Sequence, residues 1–131
     1  MPDTTIVTRV ATLHCREDGT VEVHFKPGVK VTVAGVEEVL DARERICGKG
    51  AHSVLVTLPE ELDFDLDVLM KDHYKERELH LCTYAVAWDA GSTMNETLVE
   101  LFYRYFPQQF PARAFTTEKE AREWLRAQAK P

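Results

Sequence analysis

Apolar residues alternate along the first third of the chain and fall at helical spacing towards its end. Residues 5–15, TIVTRVATLHC, are rich in β-branched side chains with imperfect alternation and read as one strand. Asp18-Gly19 is a hairpin-turn pair. VEVHF alternates cleanly, with Val21, Val23 and Phe25 pointing one way and Glu22 and His24 the other. Lys26-Pro27-Gly28 ends that strand. Residues 31–50 read as a helix whose apolar stripe is Val36, Val39, Leu40, Ile46 and Cys47, with Gly48 as its stop. Arg43 falls within the stripe, where it is expected to snorkel or to pair with an acid. HSVLVTL, residues 52–58, is a nearly continuous apolar run, as a buried central strand requires.

The second half repeats the alternation of elements. PEELDFD is an acidic loop. Leu66, Leu69, Met70 and His73 then share a helix face, which makes His73 a core or boundary residue. LHLCTYAVAW, residues 79–88, is a further apolar strand, broken by DAGST. The helix that follows places Met94, Leu98, Leu101, Phe102 and Tyr105 on one stripe, read as core, with Asn95, Glu96, Glu100 and Tyr103 opposite. After FPQQFP, Pro111 opens a short strand, since it cannot donate to a sheet. Thr117 and Glu120 form a capping box for a last helix. Ala121, Trp124 and Leu125 form its buried face, and Arg126 and Lys130 sit near its end. The order is ββαβαβαβα. It predicts an α/β fold in one domain, residues 1–131: a mixed, mainly parallel sheet of about five strands with about four helices, the first strand antiparallel.

Composition narrows the function. The chain has 131 residues, 44% hydrophobic and 29% charged, values of a soluble globular domain with one core. No apolar run approaches the roughly 20 residues that a membrane helix needs. MPDTTIVTRV lacks a basic region followed by an apolar one, so a cytoplasmic protein without membrane insertion is expected. The net charge of −6 argues against nucleic acid as a partner. Cys15, Cys47 and Cys82 are widely spaced with no CxxC, and read as free thiols. The histidines form no HxxxH or HExxH. His14 and His24, facing each other across a hairpin, would give only two ligands, too few for a metal site. No cofactor is expected. Cys82 with His80, and Asp63 with His73, could each start a catalytic site, but neither pair has a third positioned group or an oxyanion hole. The expectation is a protein that is not an enzyme.

Three segments carry a resemblance: DGTVEVHFKPGVKVT, AVAW with STMNETLVELFYRYF, and FPARAFTTEKEAREWL. With the element order, they make residues 5–125 resemble the STAS domain, the fold of bacterial anti-sigma-factor antagonists. In detail they look more like small uncharacterised bacterial STAS-like proteins. The resemblance implies a regulatory, protein-binding role. It places a phosphorylatable serine, in an Asp-Ser pair, at the start of the helix after the central strand. The matching LPEELDFDLDVLM has no serine or threonine between Pro59 and Asp67; Asp63 and Asp65 stand nearest that place, with Asp63 a candidate N-cap.

Two loops leave the carboxyl ends of apolar strands, where α/β sheets gather ligands. They nominate Asp63, Phe64 and Asp65 in one, and Asp89, Gly91, Ser92 and Thr93 in the other, as a partner- or ligand-binding rim. Phe64 is the candidate apolar anchor. Ser92 or Thr93 can cap the helix, and Thr93 with Glu96 matches a second capping box. The acids suit a protein with a basic patch, and the exposed face of the first strand pair suits a homodimer. The alternative is a carrier of a small ligand, a nucleotide or lipid, which an apolar cavity too large for water would favour.

Overall fold

Six strands form one sheet with helices on both faces. The structure, a computed structural model, describes residues 4–46 and 50–128. In chain order these are β1 (Thr4–Val7), β2 (Ala11–Cys15), β3 (Val21–Phe25), α1 (Val33–Ile46), β4 (His52–Thr57), β5 (Thr83–Asp89), α2 (Thr93–Tyr105), β6 (Ala112–Phe115) and α3 (Glu118–Gln128). Two 3-10 turns, Leu66–Met70 and Leu79–Cys82, lie between β4 and β5. The strands are ordered β1 to β6 as in the chain. β1–β2 and β2–β3 are antiparallel; β3–β4, β4–β5 and β5–β6 are parallel.

Crossovers of one hand between sequential parallel strands put their connections on one face. Val39 and Ala42 of α1 and Val99 of α2 accordingly join Val21, Val23, Val54, Val56 and Val86 in the main core. α3 follows the last strand and covers the other face of β4, β5 and β6. There Ala121 and Leu125 bury Leu55, Ala85 and Ala87. Thr117 caps α3 as the capping box requires, accepting from Glu120 N at 3.3 Å. Trp124 is only half-buried, packed on Phe115, so Ala121 and Leu125 carry the buried face expected of all three.

The α/β class and mixed sheet match the sequence, and the differences have local causes. Residues 5–15 are two strands. Thr8 Oγ1 accepts from Val10 N and Ala11 N and turns the chain into a hairpin. The helix expected over Leu66, Leu69, Met70 and His73 is one 3-10 turn, because backbone bonds between Val31 and residues 63 and 65 fix its approach. Leu66 and Met70 point to solvent, at 72% and 73% exposure. The next strand begins at Thr83. Thr83 Oγ1 donates to Leu79 O at 2.6 Å and coils residues 79–82. Cys47, Gly48 and Lys130 lie outside the described residues. Among those residues no helix is long and apolar enough to cross a membrane.

Candidate functional site

The loops after β4 and β5 meet. Asn95, buried in the first turns of α2, donates from Nδ2 to Pro59 O (3.0 Å), Glu60 O (3.3 Å) and Ala90 O (2.8 Å). Gly91 completes the join. Its φ is +80°, and a Cβ there would stand 2.9 Å from Leu58 O, so only glycine fits both the backbone and the space. Ser92 caps α2 by accepting from Asn95 N at 3.1 Å. Thr93 is exposed and makes no capping box.

The nominated residues divide. Asp63 is no N-cap: its carbonyl accepts from Val31 N at 2.8 Å, and its side chain is exposed. Asp65 stands at the N-cap of the 3-10 turn without a side-chain cap bond, and pairs with Lys30 at 3.1 Å. Phe64 bridges to Val31 and turns inward, half-buried, so it is no exposed anchor. Asp89 lies on the strand face that carries Ala87 towards α3, and its carboxylate accepts from Gly91 N–H within its own loop, so it is tied into the fold near Glu118 and Arg122. Burial, then Glu118, raises its pKa. The rim also exposes large apolar side chains. Leu66 and Met70 of the 3-10 turn and Met94 of α2 are each about 70% exposed, on two elements that touch. Glu60, Glu61, Asp63 and Asp67, on the loop that leads into the 3-10 turn and in the turn itself, are exposed as well.

Beneath this rim, between the sheet and α1 and α2, lies a cavity of about 140 Å³. Its lining is almost wholly apolar. Phe64, Val68, Leu69 and Leu98 form its outer wall, and Arg43, His73, Tyr74, Trp88, Asn95 and Tyr103 carry its few polar groups. Arg43 does not snorkel. It is 3% exposed and donates to Thr83 Oγ1 at 2.9 Å. His73 stacks on Phe102 at 5.8 Å and uses Nε2 to bond Val68 O at 2.7 Å. Trp88 Nε1 donates to the Tyr103 hydroxyl at 3.2 Å, and Tyr103 and Tyr74 share a hydrogen bond at 2.9 Å. Burial raises the pKa of both tyrosines and keeps them neutral. Tyr74 and the inward Asn95 and Tyr103 escaped the sequence reading. The spacing Asn95, Val99, Tyr103 was the available signal.

The opposite face of the sheet carries a second polar group. Glu22, buried under α3, accepts from Arg122 Nη2 at 2.9 Å and lies 3.2 Å from His24 Nε2 and 3.5 Å from Arg16 Nη1. Burial alone would raise its pKa, but the Arg122 and His24 bonds outweigh it and hold the carboxyl below its ordinary value. His14 is paired with Glu22 and His24 with Thr12, so the two histidines are diagonal neighbours. Among the described residues no group of three His, Cys, Asp or Glu could hold a metal ion, and no hydrogen bond joins Asp63 to His73. Cys15 and Cys82 are free thiols.

No curated protein matches the chain. A solved structure that resembles it is the crystal structure of apo-SiaC from Pseudomonas aeruginosa. It is 17% identical, the match covers 87% of this chain and 98% of that one, and the TM-score is 0.48. The family model that matches spans residues 14–129 and is not that of STAS; the chain belongs to the family described as Domain of unknown function (DUF7793).

Proposed function

We propose that this chain is a cytoplasmic, non-catalytic protein-binding module of regulatory type, docking through the rim over the cavity. The observation that carries the reading is the outward Leu66, Met70 and Met94, three large apolar side chains set among exposed acids. Desolvating such side chains drives association, and apolar anchors inside a polar margin are the usual anatomy of an interface. The Asn95 bonds and the tight fit at Gly91 hold the rim in one shape before binding, which lowers the entropy lost on docking.

Charge selects the occupant. The nearby cations Lys30 and Lys71 are already paired, with Asp65 and Glu37. Glu60, Glu61, Asp63 and Asp67 face solvent on a chain of net charge −6. The partner is therefore a protein presenting a basic amphipathic segment, its apolar side against Leu66, Met70 and Met94. The STAS resemblance goes with this role. The acids stand where a switch serine would be in the antagonists, so binding here runs without that switch.

The test is affinity capture from native extract with three baits: the unaltered protein, Leu66→Lys with Met70→Lys, and Asp63→Lys with Asp67→Lys. Circular dichroism first establishes that each is folded. The expected result is one protein retained by the unaltered bait, released as salt rises past the screening length of about 8 Å, and lost by both variants. Equal recovery of the same protein by all three baits removes the rim as the contact surface. Capture of a second copy of the chain instead assigns the rim to a homodimer.

A further inference from the structure

Beside the buried Arg43, two of the cavity's hydrogen-bonding groups keep a position to offer a guest. A carbonyl only accepts, so His73 Nε2, bonded to Val68 O, carries the ring proton. In the neutral ring Nδ1 is then an acceptor, and it is buried without a hydrogen-bond partner in a residue only 7% exposed. The tyrosine pair has a complementary surplus. Tyr74 and Tyr103 bring two O–H protons and share one hydrogen bond, and Tyr103 oxygen also accepts from Trp88. One phenolic proton therefore remains to be donated. His73, Tyr74 and Tyr103 gather round Phe102, with ring centroids 5.8, 6.4 and 5.2 Å from it. One acceptor and one donor thus belong to a single aromatic cluster lining a largely apolar space, whose other polar side chains are Arg43 and Asn95.

A hydroxyl complements that pair, because it donates one hydrogen bond and accepts another. Size sets the rest of the molecule. An apolar cavity of about 150 Å³ holds a benzene-sized guest, close to the 140 Å³ here. We infer that the cavity binds a small uncharged molecule, a flat apolar body of about six to nine non-hydrogen atoms bearing one hydroxyl, which bonds His73 Nδ1 and the Tyr74–Tyr103 pair. A nucleotide is excluded by volume and by the apolar lining, and so is a whole lipid. This site is separate from the docking rim, and its failure leaves the protein-binding reading standing.

Phenol and toluene test it, because they match in size and differ in the hydroxyl. Each is titrated into the folded protein by calorimetry and by NMR of the cavity methyl groups. Phenol is expected to bind saturably and at least about tenfold more tightly than toluene, the discrimination of one to two buried hydrogen bonds. The double variant Tyr74→Phe with Tyr103→Phe, which removes both phenolic protons, and His73→Phe should each bring phenol towards the affinity of toluene while leaving toluene unchanged. Val68→Trp, which fills the outer wall, should abolish both. Should His73→Phe fail to fold, the double tyrosine variant carries the comparison, since it deletes only two oxygen atoms. The inference is overturned if the unaltered protein binds neither probe, or if toluene binds as tightly as phenol.

Discussion

Asn95 is where fold and rim depend on the same atoms, and it gives the sharpest test of the structure. Its amide nitrogen has two hydrogens and faces three carbonyl oxygens at 2.8, 3.0 and 3.3 Å, so one hydrogen is shared. Asn95→Ala removes these bonds and leaves buried carbonyls without a donor. At about 1 kcal/mol per net hydrogen bond and about 1–3 kcal/mol per buried group left unsatisfied, the loss is about 2–4 kcal/mol. That is a large part of the roughly 5–15 kcal/mol that holds a domain of this kind. Asn95→Asp keeps the shape but turns a carboxylate towards the three carbonyls. Burial and the carbonyl dipoles would raise that carboxyl's pKa in the folded state. A raised folded pKa means the variant is weakest well above that value and recovers as the pH falls through it, when the acid can donate again. Urea denaturation at pH 7.5 and pH 5 should therefore rank Asn95→Asp below Asn95→Ala at the higher pH and narrow the gap at the lower. Amide exchange should rise over residues 58–62 in both. If Asn95→Asp matches the unaltered protein at pH 7.5, the junction of the two loops is not as described.

The other expectations are simpler. Leu125→Ala should cost about 2–5 kcal/mol and half-buried Trp124→Ala only about 2, read as urea midpoints with unchanged slope; the reverse order would contradict the packing of α3. Glu22, with its pKa held below 4.5, contributes stability that is whole above the ordinary glutamate range. That contribution is lost as the pH falls through the lowered value, so Glu22→Gln should flatten the acid side of the stability curve. Thiol titration after denaturation should find Cys15, Cys47 and Cys82 all reduced, and stoichiometric zinc or a disulfide would overturn the cytoplasmic reading.

What the sequence made legible was short-range. Asp18-Gly19, the alternation of VEVHF and the Thr117 cap each name their structure within a few residues, and each is there, although Glu120 accepts from the Thr117 hydroxyl and not from a backbone N–H as a full capping box would have it. The failures came where a distant partner decides. Residues 66–73 have helical spacing, but Val31, more than thirty positions earlier, pairs with the chain at 63 and 65 and sets a different path. Glu22 looks like an outward strand residue until Arg122, one hundred positions later, lays α3 across it. The candidate rim was legible as two loops brought together, but not the side chains it presents.

α2 shows why. At about 100° per residue, its apolar side chains sweep more than half of the circumference, from Leu101 and Met94 through Leu98, Phe102 and Val99 to Tyr103. A stripe centred on Met94, Leu98, Leu101 and Tyr105 is the natural reading of that arc, yet Met94 and Tyr105 are largely exposed. The sheet instead takes the arc's other part, a turn of roughly a quarter of the helix, where Val99 is buried and the one polar residue, Asn95, ties down the loops. A helix apolar over so wide an arc needs cover on two sides. The sheet covers one, and the 3-10 turn covers the edge of the other while presenting Leu66 and Met70 of its own. The apolar surface left over lies beside the acids of the loop after β4. That excess of apolar surface over what the fold can bury, with its charged border, is the physical ground on which a protein partner is proposed at this rim.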